Sequence, residues 1–165
     1  MFDPTNWTGF HTWLSLIAIL AGFIVVFGMM GGKDRPFWAG LFLLTAVGTS
    51  ATGFGFPFTG VLPSHVVGVM ALVILAITLP ARYHFGRRGH WRWIYAVGIA
   101  ASLYLLAFVG VAQAFLKVPA LQALAPTQAE PPFAMTQIGV LILFVLMGYA
   151  AVRGSRPRLL RRPAF

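Results

Sequence analysis

The chain has 165 residues, of which 59% are hydrophobic and 9% charged, with a net charge of +9 and a mean hydropathy of +0.83. A soluble globular domain carries about a quarter charged residues, so this composition excludes that class. The sequence contains no cysteine, which also excludes disulfides, thiolate metal sites, iron–sulfur clusters and cysteine nucleophiles.

Five apolar runs of membrane-spanning length follow one another along the chain. A helix needs about 20 apolar residues to cross a hydrocarbon core of about 30 Å. Backbone groups in lipid must be paired within their own segment, and these runs lack the alternating polarity of barrel strands. The sequence therefore predicts an all-α fold, with residues 1–165 forming one transmembrane domain, a bundle of five helices. The predicted spans cover about 12–31, 37–54, 61–81, 93–116 and 134–153.

The basic residues predict which way the bundle is inserted. Every Lys and Arg except Lys117 falls between spans one and two, between spans three and four, or at and after the end of span five. Because Lys and Arg are retained in the cytoplasm, we predict an N-out, C-in orientation. Asp34, between the first two spans, is expected to pair with Lys33 or Arg35. The positive charge thus indicates topology and contact with anionic lipids at the cytoplasmic face, not nucleic-acid binding.

Small residues one turn apart predict where helices approach each other closely. The pairs are Ala18 with Gly22, Ser64 with Gly68, and Gly98 with Ser102. Helices in lipid associate through such close packing, because burying Leu against Leu gains little there.

Polar side chains that are costly in lipid collect in the outer half of the predicted bundle. Gln113 and Lys117 lie one turn apart at the outer end of span four, and Glu130 is the acid expected to pair with Lys117. These positions predict an outward-facing polar pocket. A simpler reading is that Lys117 reaches to the interface and that Gln113 and His65 make structural hydrogen bonds. The candidate ligand-binding residues are Thr49, Thr52, His65, Gln113, Lys117, Gln128, Glu130 and Gln137.

The segment after span four is rich in proline and is expected to cover this pocket. Pro119 favours the start of a short amphipathic helix on the membrane surface, and Pro131 and Pro132 favour a stiff turn into span five. The runs Leu103–Val109 and Gln113–Phe133 resemble a family of small inner-membrane proteins of Gram-negative bacteria. The resemblance is most specific over span four and the segment after it. It implies a location in the bacterial inner membrane and no activity.

The function predicted from these residues is binding rather than catalysis, because no nucleophile–base pair and no carboxylate dyad is visible. The ligand stays open among a small molecule, a lipid headgroup and a quinone. Alternatives are an accessory or structural subunit of a larger membrane complex, a transporter component, and a redox subunit holding haem or quinone. Haem would need axial ligands at similar depth, for which His11 and His65 are the candidates; no other metal site is predicted.

Overall fold

The computed structural model describes residues 3–56 and 63–155, and within these residues the chain forms six α-helices and no strand. The predicted start of span three at residue 61 lies outside the described residues, as do Arg156, Arg158, Arg161 and Arg162. In the described part, α1, α3, α4 and α6 have the length and apolar composition to cross a membrane. The α2 helix is shorter, at 18 residues. The helices are α1 (Trp7–Met30), α2 (Pro36–Gly53), α3 (Pro63–Tyr83), α4 (Trp91–Lys117), α5 (Pro119–Leu124) and α6 (Pro131–Gly154).

Each predicted span coincides with a helix, but several helices begin earlier than predicted. The α1 helix begins at Trp7 rather than residue 12, because the Asn6 side chain accepts a hydrogen bond from the Gly9 N–H at 2.7 Å and caps the helix. The α6 helix begins at Pro131 rather than residue 134, with proline in its first turn. The short helix predicted to start at Pro119 is confirmed as α5.

The helices form a four-membered ring with a fifth long helix outside it. Each of α1, α2, α3 and α4 packs against the next, α4 also packs against α1, and α6 lies against α4 and α1. Consecutive long helices are antiparallel, since the start of α1 meets the end of α2 and the end of α3 meets the start of α4. We call the end with residues 31–35 and 84–90 the basic end, and the end with residues 3–6, 54–56 and 118–130 the cavity end.

Two glycines set the close approach of helices near the middle of the bundle. A Cβ atom on Gly22 of α1 would lie 2.6 Å from Leu103 Cδ1 and 2.8 Å from Phe42 Cε2. A Cβ atom on Gly98 of α4 would collide with the Thr78 Oγ1 of α3. The predicted close contacts at Gly22 and Gly98 are therefore confirmed.

The apolar core occupies the half of the bundle toward the basic end. Most of its members come from matching levels of α1, α2, α4 and α6. The α3 helix adds Leu75 and Ala81. The largest fully buried apolar side chains are Val26, Phe42, Leu43, Leu75, Ile99 and Leu103.

Asp34 joins two loops at the basic end. Its Oδ2 accepts a hydrogen bond from Arg87 Nη2 at 2.6 Å, and its Oδ1 lies 3.7 Å from Arg82 Nη1, which also donates to the Tyr95 hydroxyl at 3.0 Å. The predicted pairing with Lys33 or Arg35 is therefore wrong. Neighbouring residues of a tight turn point their side chains apart, whereas the 84–90 loop brings Arg87 across to the carboxylate. Partial burial opposes ionisation of Asp34, but the hydrogen bond from Arg87 and the two arginine charges outweigh it and lower the pKa.

We expect Gly98→Ala to destabilise the protein by about 1–3 kcal/mol, because α3 and α4 must separate to admit the methyl group. Adding Thr78→Ala removes the colliding hydroxyl and should restore much of the loss. Equilibrium unfolding in detergent measures both changes. Gly139→Ala is the control, since a Cβ there meets nothing within 4 Å. A loss no larger for Gly98→Ala than for Gly139→Ala would contradict the close contact.

We expect Asp34→Asn to lower stability at neutral pH by about 1 kcal/mol or less, because the ion pair is partly solvated. The pKa of Asp34 is lowered in the folded state, so its contribution is present above the unfolded value and is lost as the pH falls through the folded value. Unfolding free energies of the variant and the parent should therefore converge in strong acid. Asp3→Asn at the other end serves as control, because the Asp3 carboxylate accepts hydrogen bonds from Thr5 and forms no ion pair with the described residues, so the comparison isolates the contribution of the arginines. An Asp34→Asn effect that persists unchanged in acid would argue against the ion pair.

Candidate functional site

A cavity of about 610 Å³ opens within the ring of helices, on the side away from the apolar core. Residues 8–19 of α1, 46–53 of α2, 65–75 of α3 and 102–117 of α4 line it, so each helix contributes the half nearer the cavity end. Along α4, the distance from Lys117 to Ser102 is about 22 Å at 1.5 Å per residue. The cavity is therefore long enough to reach from one membrane interface toward the bilayer centre.

Two histidines line the cavity near the cavity end of the bundle, each held by a neighbouring element. The His11 Nδ1 lies 2.9 Å from the Thr52 Oγ1, and that hydroxyl donates its own proton to the Gly48 carbonyl at 2.7 Å. His11 must then donate from Nδ1, so a neutral His11 carries its free lone pair on Nε2. His65 is 8% exposed and its ring stacks on that of Phe54, with 5.8 Å between the centroids and 29° between the ring planes.

Lys117 and Gln113 face the same cavity from the last turns of α4. Lys117 forms no ion pair or hydrogen bond with any residue that the structure describes. The expected pair with Glu130 is absent from this part of the chain, because the Glu130 carboxylate accepts hydrogen bonds from the Thr127 hydroxyl at 2.8 Å and the Ala129 N–H at 3.1 Å. The Thr127 hydrogen bond lowers the pKa of Glu130. The positive charge of Lys117 is thus uncompensated beside the cavity.

Two buried hydroxyl groups lie deeper along the cavity wall. Ser102 is 2% exposed and Thr49 is 7% exposed, and the Oγ of each makes no hydrogen bond to a described residue. Buried polar groups are nearly always paired, so these two hydroxyls are exceptions, and their oxygens are closed off from solvent although the residues line the cavity. Around them the wall is apolar, with Leu75, Leu105 and Leu106 at the same levels.

The glutamines that follow α4 hold neighbouring segments against it instead of lining the cavity. Gln128, whose φ of +61° is unusual for a side-chain-bearing residue, donates from Nε2 to the Ala112 carbonyl at 2.7 Å. Gln137 donates from Nε2 to the Phe108 carbonyl at 3.1 Å, and its Oε1 is buried without a partner in the described residues. These bonds fix the 118–130 segment and α6 beside the half of α4 that lies toward the cavity end.

The predicted site residues therefore divide into two groups. The structure brings Thr49, His65, Gln113 and Lys117 to one cavity, and Thr52 positions His11 at its wall. It places Gln128, Glu130 and Gln137 in structural hydrogen bonds around α4 and α6.

Sequence reasoning missed the polar side of α1 and the role of Ser102. Thr8, His11, Thr12 and Ser15 all line the cavity. They recur at one-turn spacing, which is the pattern of a single helix face. The predicted start of span one at residue 12 leaves Thr8 and His11 outside the helix, which hides the continuity of the stripe.

Haem ligation would require two histidines that face the same space. His11 and His65 line the same cavity from two different helices. No group of three or more potential metal-ligating side chains occurs among the described residues. Two-histidine haem ligation stays a prediction.

No protein-family model matches the chain, and neither the curated proteins nor the solved structures contain a match to it. The resemblance noted over residues 103–133 stays a prediction.

The unpaired Thr49 hydroxyl leads to a matched comparison within α2. Thr49→Val should stabilise the ligand-free protein by about 1 kcal/mol, because it removes a buried hydroxyl that has no partner. Thr45→Val, one turn earlier, should destabilise it, because Thr45 Oγ1 donates to the Leu41 carbonyl at 2.7 Å. Both substitutions replace a hydroxyl by a methyl group on the same helix. Equal changes in unfolding free energy would mean that the two hydroxyls do not differ.

Proposed function

We propose that this chain is a multi-pass protein of the bacterial inner membrane, with five spans, its N-terminus outside and its C-terminus inside. Four helices have the length and composition of spans. In support of a fifth, α2 connects α1 to α3, which run in the same direction, so it must traverse the bundle. Its 18 residues extend about 27 Å, close to the thickness of a hydrocarbon core.

The distribution of charge supports the proposed orientation. Between residues 3 and 155, the Lys and Arg side chains lie in or beside the basic end, with Lys117 the exception. The positive-inside rule assigns such an end to the cytoplasm. The cavity then opens toward the outside of the cell.

The proposed function is to bind an amphipathic molecule in the outward-opening cavity. The observation that carries this proposal is the division of the cavity wall. Lys117, Gln113 and the two histidines lie near the outer end, and leucines, alanines and valines lie deeper. A head that accepts hydrogen bonds suits the outer group, while an apolar tail suits the inner wall.

Lipid phosphates and quinones both fit this description. A phosphate or a quinone carbonyl can accept hydrogen bonds from Lys117 and Gln113, and a chain of methylene or isoprenoid groups can lie against Leu75, Leu105 and Leu106. The hydroxyl of Ser102 lies at the inner limit of the lining on α4. The proposed role is binding, with no covalent step.

We expect Lys117→Gln to weaken binding of dodecyl phosphate about tenfold or more, because a hydrogen bond to a charged group is lost. Arg88→Gln is the matched control, since Arg88 is exposed at the basic end and does not line this cavity. Binding is measured as thermal stabilisation in a neutral steroid-based detergent, which offers no alkyl chain to compete. Decylubiquinone is the second probe, and a preference between the probes identifies the head.

The tail is tested separately with Ala71→Phe, which fills the apolar part of the cavity without changing charge. Val73→Phe, on the exposed side of the same helix, is its control. Stabilisation by both probes that is the same in Lys117→Gln, in Ala71→Phe and in the two controls would refute binding at this cavity.

A further inference from the structure

A second, smaller pocket of about 250 Å³ lies at the basic end, where α1 and α6 finish and α4 begins. It is separate from the outer cavity, and no residue lines both. The side chains that give it chemical character are Lys33, Asp34, Arg87, Arg92, Tyr95 and Ser155.

The charges around this pocket are unbalanced. Asp34 is the acid in the lining, and it is already engaged by Arg87 at 2.6 Å, with Arg82 approaching at 3.7 Å. The Lys33 side chain forms no ion pair or hydrogen bond with the described residues, although its backbone N–H bonds to the Gly28 carbonyl. Arg82 and Arg87 thus share the single carboxylate of Asp34, and Lys33 retains a full positive charge at the pocket wall.

Arg92 supplies the second unsatisfied group. Its Nε is buried and meets no acceptor in the part of the chain that the structure describes. The Arg92 side chain lines the pocket, so an anion bound there would offset the positive charge of a guanidinium that has an enclosed, unpaired nitrogen.

The backbone at the start of α4, around Arg92, also favours a bound anion. The α4 helix begins at Trp91, and its N-cap residue His90 makes no side-chain hydrogen bond to the first turn. Arg92 and Tyr95, both in that turn, line the pocket. The N–H groups of Trp91 and Ile94 bond to the Arg88 and His90 carbonyls, so it is the N–H groups of Arg92 and Trp93, with the positive end of the helix dipole, that favour an anion.

We infer that this pocket binds a phosphoryl group. A phosphoryl group offers several acceptor oxygens and up to two negative charges, which match Lys33, Arg92 and the helix terminus together. At the proposed cytoplasmic interface its source is either an anionic phospholipid headgroup or free phosphate. Basic pockets between membrane helices on that side of a bilayer are suited to lipid phosphates.

The test uses the full chain in neutral detergent and two probes. Inorganic phosphate is titrated calorimetrically against chloride at equal ionic strength, and retention of phosphatidylglycerol is measured by native mass spectrometry after exposure to mixed micelles. Lys33→Gln and Arg92→Gln should each weaken binding of at least one probe about tenfold or more. Arg88→Gln is the matched control, because Arg88 is exposed in the 84–90 loop beside the pocket and does not line it.

The two arms separate the possible sources. Binding of phosphate with the expected dependence on Lys33 and Arg92 assigns the site to a free phosphoryl ligand. Retention of phosphatidylglycerol alone, with the same dependence, assigns it to a lipid headgroup. If neither probe binds, or if both pocket variants behave as Arg88→Gln does, the inference is overturned. Lys33 is exposed, so its variant keeps the test valid even where Arg92→Gln disturbs packing.

Discussion

The structure depends on the close crossing of helices at Gly22 and Gly98. These glycines allow α1 to reach Phe42 and Leu103 and allow α4 to reach Thr78 without intervening side chains. Helices in lipid gain little from ordinary apolar burial, so this contact and the van der Waals packing around it hold the ring together. Toward the basic end the contact continues into the buried core. Toward the other end the same four helices enclose open space.

Small residues therefore have opposite consequences in the two halves of one bundle. At Gly22 and Gly98 they let side chains of the neighbouring helices pack directly against the helix backbone, whereas at Gly68, Ala71 and Gly110 they line a cavity. Larger side chains at the outer end, such as Phe54 beside Gly68 and His11 beside Gly53, occupy the space into which the helices would otherwise close. The fold thus combines a closely packed half with a half that encloses a cavity.

The helices themselves could be predicted from the sequence because their cause is local. Continuous apolar runs, Pro119 and Pro131 act through nearby residues, and each produced a helix near the expected position. The partners of charged side chains could not be predicted, since they depend on how helices and loops face one another. Asp34 pairs with Arg87, 53 residues away, and Glu130 binds its own turn instead of Lys117. Gln128 and Gln137 donate to backbone carbonyls of α4. Which carbonyls remain accessible depends on helix packing, so these partners could not be predicted from the sequence either.

The two lysines of the chain show how a membrane bundle can carry cations without paired acids. Each lies at a helix end or loop near an interface, where a charge costs less than at the bilayer centre, and each borders an unfilled space. A ligand that fills the outer cavity would touch all four helices of the ring at once. Its binding energy would then add to the association of those helices, by the linkage that stabilises any folded state with a bound partner. The half of the bundle at the cavity end lacks a buried core of its own, so a bound ligand would stabilise this half most.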